Sequence, residues 1–73
     1  MEKLNALSAE RGRWTTSPTG TLICNPHPVF GGIIDKAIKG KWFVIFNSPA
    51  LPTVTDIGTQ NEAIEFVAET MGA

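Results

Sequence analysis

Cys24 and His27 are the one cysteine and the one histidine of the sequence, and they stand together as C-x-x-H. Zinc takes three or four protein ligands in a protein site. Beyond this pair the chain offers only scattered carboxylates, so neither a metal nor another cofactor is expected. A thiol–imidazole nucleophile needs a third group to orient its base. Pro26 and Pro28 flank His27 and fix it in a loop with no evident orienting acid, so both residues read as structural or incidental. Asp35 and Asp56 are the candidate acid–base couple, yet nothing in the sequence brings them into one pocket, and solvated positions beside turns account for them. Gly31-Gly32 precedes no helix start, so it is not a phosphate-binding loop. No catalytic residue is expected, and the chain reads as non-enzymatic.

The residues suited to binding are more numerous. At ~100° per residue, Glu62, Glu65 and Glu69 fall on one face of a C-terminal helix, and Phe66 lies beside them, about 160° around from Ile64. A phenylalanine among acids on an outward face suggests contact with another molecule; its alternative is to fold over the helix edge onto the N-terminal segment. The other candidates come from the run Trp42-Phe43-Val44-Ile45-Phe46. Neighbours in a strand point to opposite sides, so Trp42, Val44 and Phe46 share one face while Phe43 and Ile45 share the other. Both faces of this strand require cover.

The elements that position these residues follow from local signals. Met1 to Gly12 reads as a tail or a short helix, with Leu4 and Leu7 on one side. A single β-sheet-plus-helix domain follows over 13–73. Trp14-Thr15-Thr16 favours a strand, and Ser17-Pro18-Thr19-Gly20 fits a type I turn, with Gly20 free to adopt positive φ before the return strand Thr21–Cys24. Asn25-Pro26-His27-Pro28 interrupts the pairing, because proline donates no hydrogen bond and restrains the residue before it. Val29 to Ile38 resumes as a strand, bent or bulged at Gly31-Gly32. Lys39-Gly40 then closes a hairpin into Trp42–Phe46. A two-residue loop there sets Ile34 opposite Ile45, Ile33 opposite Phe46 and Ala37 opposite Trp42. Lys36, Lys39 and Lys41 act as gatekeepers beside an aggregation-prone strand. After a second proline-broken connector, Thr53 to Ile57 alternates well enough for a short strand. Thr59 and Glu62 then form a capping box, and Ile64, Val67, Ala68 and Met71 make one apolar stripe.

The expected fold is α+β: a small antiparallel sheet of three to four strands in two hairpins, with the C-terminal helix packed on one face. One helix covers one face. The other face would show Phe43, Ile45, Ile34 and Ile38, or else the Trp42, Val44 and Phe46 set, unless Leu4, Leu7 and Trp14 cover it. Exposed apolar patches of this kind mark interfaces, so a partner protein, or a homodimer through the open sheet face, is expected.

The charge balance narrows the partner further. Six Lys and Arg stand against seven Asp and Glu, for a net charge of −1. Nucleic-acid binding draws on neutralised phosphates, which makes it the runner-up here, through Lys36, Lys39, Lys41 and Trp42 beside Arg11 and Arg13. The lone cysteine suits a reducing cytoplasm. No run approaches the ~20 apolar residues of a membrane span, and the first residues lack the apolar region of a signal peptide. At 73 residues the core is thin and supplies only ~3–5 kcal/mol.

Trp14, Gly20, Ile33-Ile34, GKWFV at 40–44 and TQNEAI at 59–64 together give an outline that resembles a class of very small phage and prophage proteins. That resemblance implies a non-enzymatic protein that inhibits a host factor, such as a bacterial immune complex, in the host cytoplasm (an anti-CRISPR-like role). A narrower likeness begins near residue 33. Leu51-Pro52, Thr55, Thr59 and Glu62-Ala63, after the strand WFVIF, are similar to the N-terminal half of HicB-type antitoxins, which implies neutralisation of a toxin protein. Both resemblances imply a protein partner. The residues read as contacting it are Phe66, Glu62, Glu65, Glu69, Phe43 and Ile45.

Overall fold

The structure, a computed structural model, describes residues 4–5 and 11–72. Its sheet has five antiparallel strands in simple sequence order: β1 (Thr15–Thr16), β2 (Ile23–Asn25), β3 (Gly32–Lys36), β4 (Trp42–Phe46) and β5 (Val54–Ile57). The C-terminal helix, α1 (Gln60–Gly72), packs on β3, β4 and β5. The fold is α+β, with five strands where three to four are expected from sequence. The short segment after Pro52 does pair, as the outer strand beside β4.

Both anticipated turns form, but the second has one more residue than expected. In the first, the Gly20 amide donates to the Ser17 carbonyl at 2.9 Å and Gly20 has φ 79, as a type I turn followed by a left-handed residue requires. The β3–β4 turn repeats this device. The Gly40 amide donates to the Ala37 carbonyl at 3.0 Å, the Ala37 amide donates to the Lys41 carbonyl at 2.7 Å, and Gly40 has φ 83. The loop is therefore Ile38-Lys39-Gly40, three residues long.

That extra residue shifts the register by one. Ile34 pairs with Val44 rather than Ile45, Ile33 pairs with Ile45 rather than Phe46, and Lys36 rather than Ala37 faces Trp42. A one-residue slip in a strand exchanges its two faces, so the expected grouping of Ile34 with Phe43 and Ile45 does not occur. Directly paired residues project to the same side of a sheet. Ile23, Ile34 and Val44 thus form one row across β2, β3 and β4, and all three are buried. This row, with Phe46, meets Ala63, Ile64, Val67, Ala68 and Met71 of α1 in one core. Each such aliphatic side chain stabilises the fold by about 1.5–3 kcal/mol when fully buried.

The helix begins as its sequence indicates. The Glu62 amide donates to Thr59 Oγ1 at 3.1 Å, and the Thr59 hydroxyl donates to Glu62 Oε1 at 3.3 Å. Leu4 and Trp14 join the helix-side core, each only 2% exposed. Asn5 pins this start of the chain to the sheet: its Oδ1 accepts the Trp14 amide proton at 3.0 Å and its Nδ2 donates to the Trp14 carbonyl at 3.4 Å. Leu7 lies outside the described residues. Leu4 and Trp14 therefore do not cover the face opposite α1, and no element of the described residues lies over it.

Candidate functional site

The face opposite α1 is built from the alternate rows of the same strands. Thr15, Cys24, Ile33 and Ile45 are paired in succession across β1 to β4, and Asp35 faces Phe43 in the neighbouring row. Ile45 is 41% exposed and Ile33 36%, while Phe43 and Cys24 are half-buried. The centre of this face is thus apolar, with Thr15, Asp35 and Thr55 around it, an apolar middle inside a polar rim.

At one end the face opens into a cleft of about 560 Å³ at the β3–β4 turn, lined by Asp35, Ile38, Lys41, Trp42, Phe43 and Asp56 among others. Its far wall is a β-bulge. Trp42 pairs with Ile57 and Val44 with Val54, so Thr55 and Asp56 together oppose Phe43 alone. Asp56 takes φ 62 there, a left-handed conformation that costs an L-residue about 1–2 kcal/mol and is tolerated best by Asn and Asp. Asp35 and Asp56 therefore line one cleft, contrary to the expectation that nothing brings them together. Asp35 Oδ1 is already engaged, accepting the Lys36 amide proton at 2.8 Å.

The opposite end of the sheet is a hydrogen-bonded lock around Asn25, the one buried polar side chain among the described residues. Its Nδ2 donates to the Arg11 carbonyl at 2.9 Å, and its Oδ1 accepts the His27 amide proton at 3.0 Å. Asn47 Nδ2 donates to the carbonyls of Asn25 and His27, at 3.1 and 3.0 Å. His27 Nδ1 accepts from the amides of Val29 and Phe30, at 3.1 and 3.0 Å. Its ring packs 5.3 Å from Phe30, and the Arg11 guanidinium lies 4.8 Å over the Phe30 ring. Arg11 also donates to the Met71 carbonyl at the end of α1, where a cation complements the helix dipole. His27 is a turn-former here, with Nδ1 directed at these two amides rather than at Cys24. Sequence reasoning registers this segment only as a break; the available signal is an asparagine directly before proline, a pattern that favours side-chain-closed turns.

The residues read from sequence as one contact set divide between two sides of the molecule. Phe43 and Ile45 lie on the helix-free face. Glu62, Glu65, Glu69 and Phe66 lie on α1, which covers the other. Phe66 folds over the helix edge onto the sheet: its ring sits 6.2 Å from that of Phe46, leaving it 37% exposed; most of the N-terminal segment of the alternative reading lies outside the described residues. The cationic set divides as well. Lys36, Lys39 and Lys41 belong to the cleft end, whereas Arg11 is tied into the lock. Among the described residues, no three His, Cys, Asp or Glu side chains converge as a metal site, and no helix is long and apolar enough to cross a membrane.

The chain matches no known protein family, no curated protein and no solved structure.

Proposed function

We propose that this chain is a non-enzymatic protein-binding module whose docking surface is the helix-free face of its sheet. The supporting observation is the Ile33–Ile45 pair, exposed at the centre of a face that carries Phe43 and Cys24 and that no described element covers. A small domain gains stability by turning such side chains inward, and an apolar patch with a polar rim is what a partner protein desolvates. In its particular form, the reading is a phage-type inhibitor that occupies a host protein complex in the host cytoplasm; the alternative is an antitoxin that neutralises a toxin protein through this face. The nucleic-acid reading loses support because Arg11 stands at the opposite end of the sheet from Lys36, Lys39 and Lys41, and Asp35 and Asp56 share the cleft with the lysines.

The test is capture from bacterial lysate with immobilised protein, comparing wild type with the double variant Ile33→Lys, Ile45→Lys. Both positions are exposed, so the variant is expected to fold while losing the captured partner. Phe66→Glu is a poorer probe, because it also removes the contact with Phe46. Recovery of the same partner by the folded double variant would rule this face out.

A further inference from the structure

We infer that the cleft beside the β3–β4 turn receives the anchoring side chain of the docked partner, a tyrosine or a tryptophan. This anchor presupposes the helix-free face as the docking surface. Phe43 belongs to both places: it faces Asp35 on that face and lines the cleft. At about 560 Å³ the cleft lies within the roughly 300–1,000 Å³ of ligand pockets, ample for one large side chain. The register shift between β4 and β5 falls here, setting Thr55 and Asp56 against Phe43. Bulges re-aim side chains beside sites, and a strained backbone conformation that persists points to function. Asp56 keeps φ 62, where glycine would sit without strain.

The lining selects among occupants. Lys36, Lys39 and Lys41 share the cleft with Asp35 and Asp56, so an anion meets two carboxylates and a cation meets three ammonium groups. A neutral side chain meets no like charge. Interface anchors are drawn mainly from Trp, Tyr and Arg, and the lysines disfavour arginine. Tyrosine and tryptophan carry a polar donor on an apolar ring. The ring packs on Phe43, while its O–H or N–H donates to Asp56, whose carboxylate accepts no hydrogen bond among the described residues. An aliphatic side chain would strip water from that carboxylate without giving it a donor, a loss that the phenol or indole avoids. The lysine ammonium groups stay in water on their long stems.

Titration of the isotope-labelled full chain with N-acetyl-tyrosinamide, followed by amide NMR shifts, tests the inference. Saturable shifts are expected at Phe43, Thr55 and Asp56, and N-acetyl-tryptophanamide should produce the same set. The N-acetyl amides of leucine, arginine and glutamate are expected to bind about fivefold or more weakly, the worth of one hydrogen bond. Asp56→Gly removes the acceptor and suits the left-handed backbone, so it should fold normally and bind the tyrosine amide about fivefold more weakly. Should that variant misfold, the comparison among amides on the wild type decides the matter by itself. Three results would overturn the anchor: no saturable shift, equal or tighter binding of the leucine, arginine or glutamate amide, or shifts centred on Ile33 and Ile45. A partner captured equally by Asp56→Gly but lost by Ile33→Lys, Ile45→Lys would overturn the anchor alone. Retention of the partner by that double variant would instead remove the docking face.

Discussion

The two ends of the β3–β4 hairpin solve the same problem in opposite ways. At the start of β3 the chain comes out of Asn25-Pro26-His27-Pro28, where two residues donate no backbone hydrogen bond and nearby carbonyls need partners. Side chains supply them: Asn47 serves the Asn25 and His27 carbonyls, and Asn25 and His27 hold the amides of the turn. Their identities are fixed by that geometry. At the far end, the Ala37–Lys41 turn closes on its own backbone with Gly40 in the left-handed region. Its side chains are released from structural duty, and the residues found there are an exposed isoleucine and lysines. A loop whose side chains satisfy backbone groups is part of the fold, whereas a loop satisfied by its own backbone presents its side chains outward.

Three substitutions probe that contrast. The largest effect is expected at the lock, from Gly31→Ala. An added Cβ would overlap the backbone carbonyls of Asn25 and His27, groups that cannot rotate away, so a loss of more than about 3 kcal/mol in urea unfolding is expected. A loss under about 1 kcal/mol, the size of an ordinary substitution, would show that the lock yields. Next is Asn25→Ala, which strands the Arg11 carbonyl and the His27 amide in a buried site; at ~1–3 kcal/mol for each orphaned group, a loss of about 3 kcal/mol is expected, read as a lower midpoint with the slope unchanged. The smallest is Ile38→Ser, where stability should stay within about 0.5 kcal/mol. A larger loss would mean that the turn is structurally coupled to the sheet, and the contrast between the two ends would fail.

Much of this architecture is legible in the residues. Thr59 and Glu62 announce the start of α1, and the spacing of Ile64, Val67, Ala68 and Met71 identifies its buried stripe, because both signals are local and periodic. Ser17-Pro18-Thr19-Gly20 names its turn for the same reason. The lock is not legible in this way. Asn25, Asn47, Gly31 and Arg11 are distant in sequence, and only the sheet brings them together. The candidate site is half legible. The alternation in Trp42–Phe46 guarantees two apolar faces, but the partition of β3 between them depends on one residue of loop length.

The sequence by itself determined that the chain would make an antiparallel sheet, one C-terminal helix and more apolar strand surface than that helix covers, since these follow from side-chain period, turn residues and caps. Only the tertiary structure decided that Ile34 goes inward and Ile33 outward, that Leu4 and Trp14 close the helix side, and that Phe66 and Ile45 belong to opposite surfaces. The physical reason is that strand faces are exchanged by a single-residue slip, and register is set by the joint fit of turn, bulge and core rather than by any one segment.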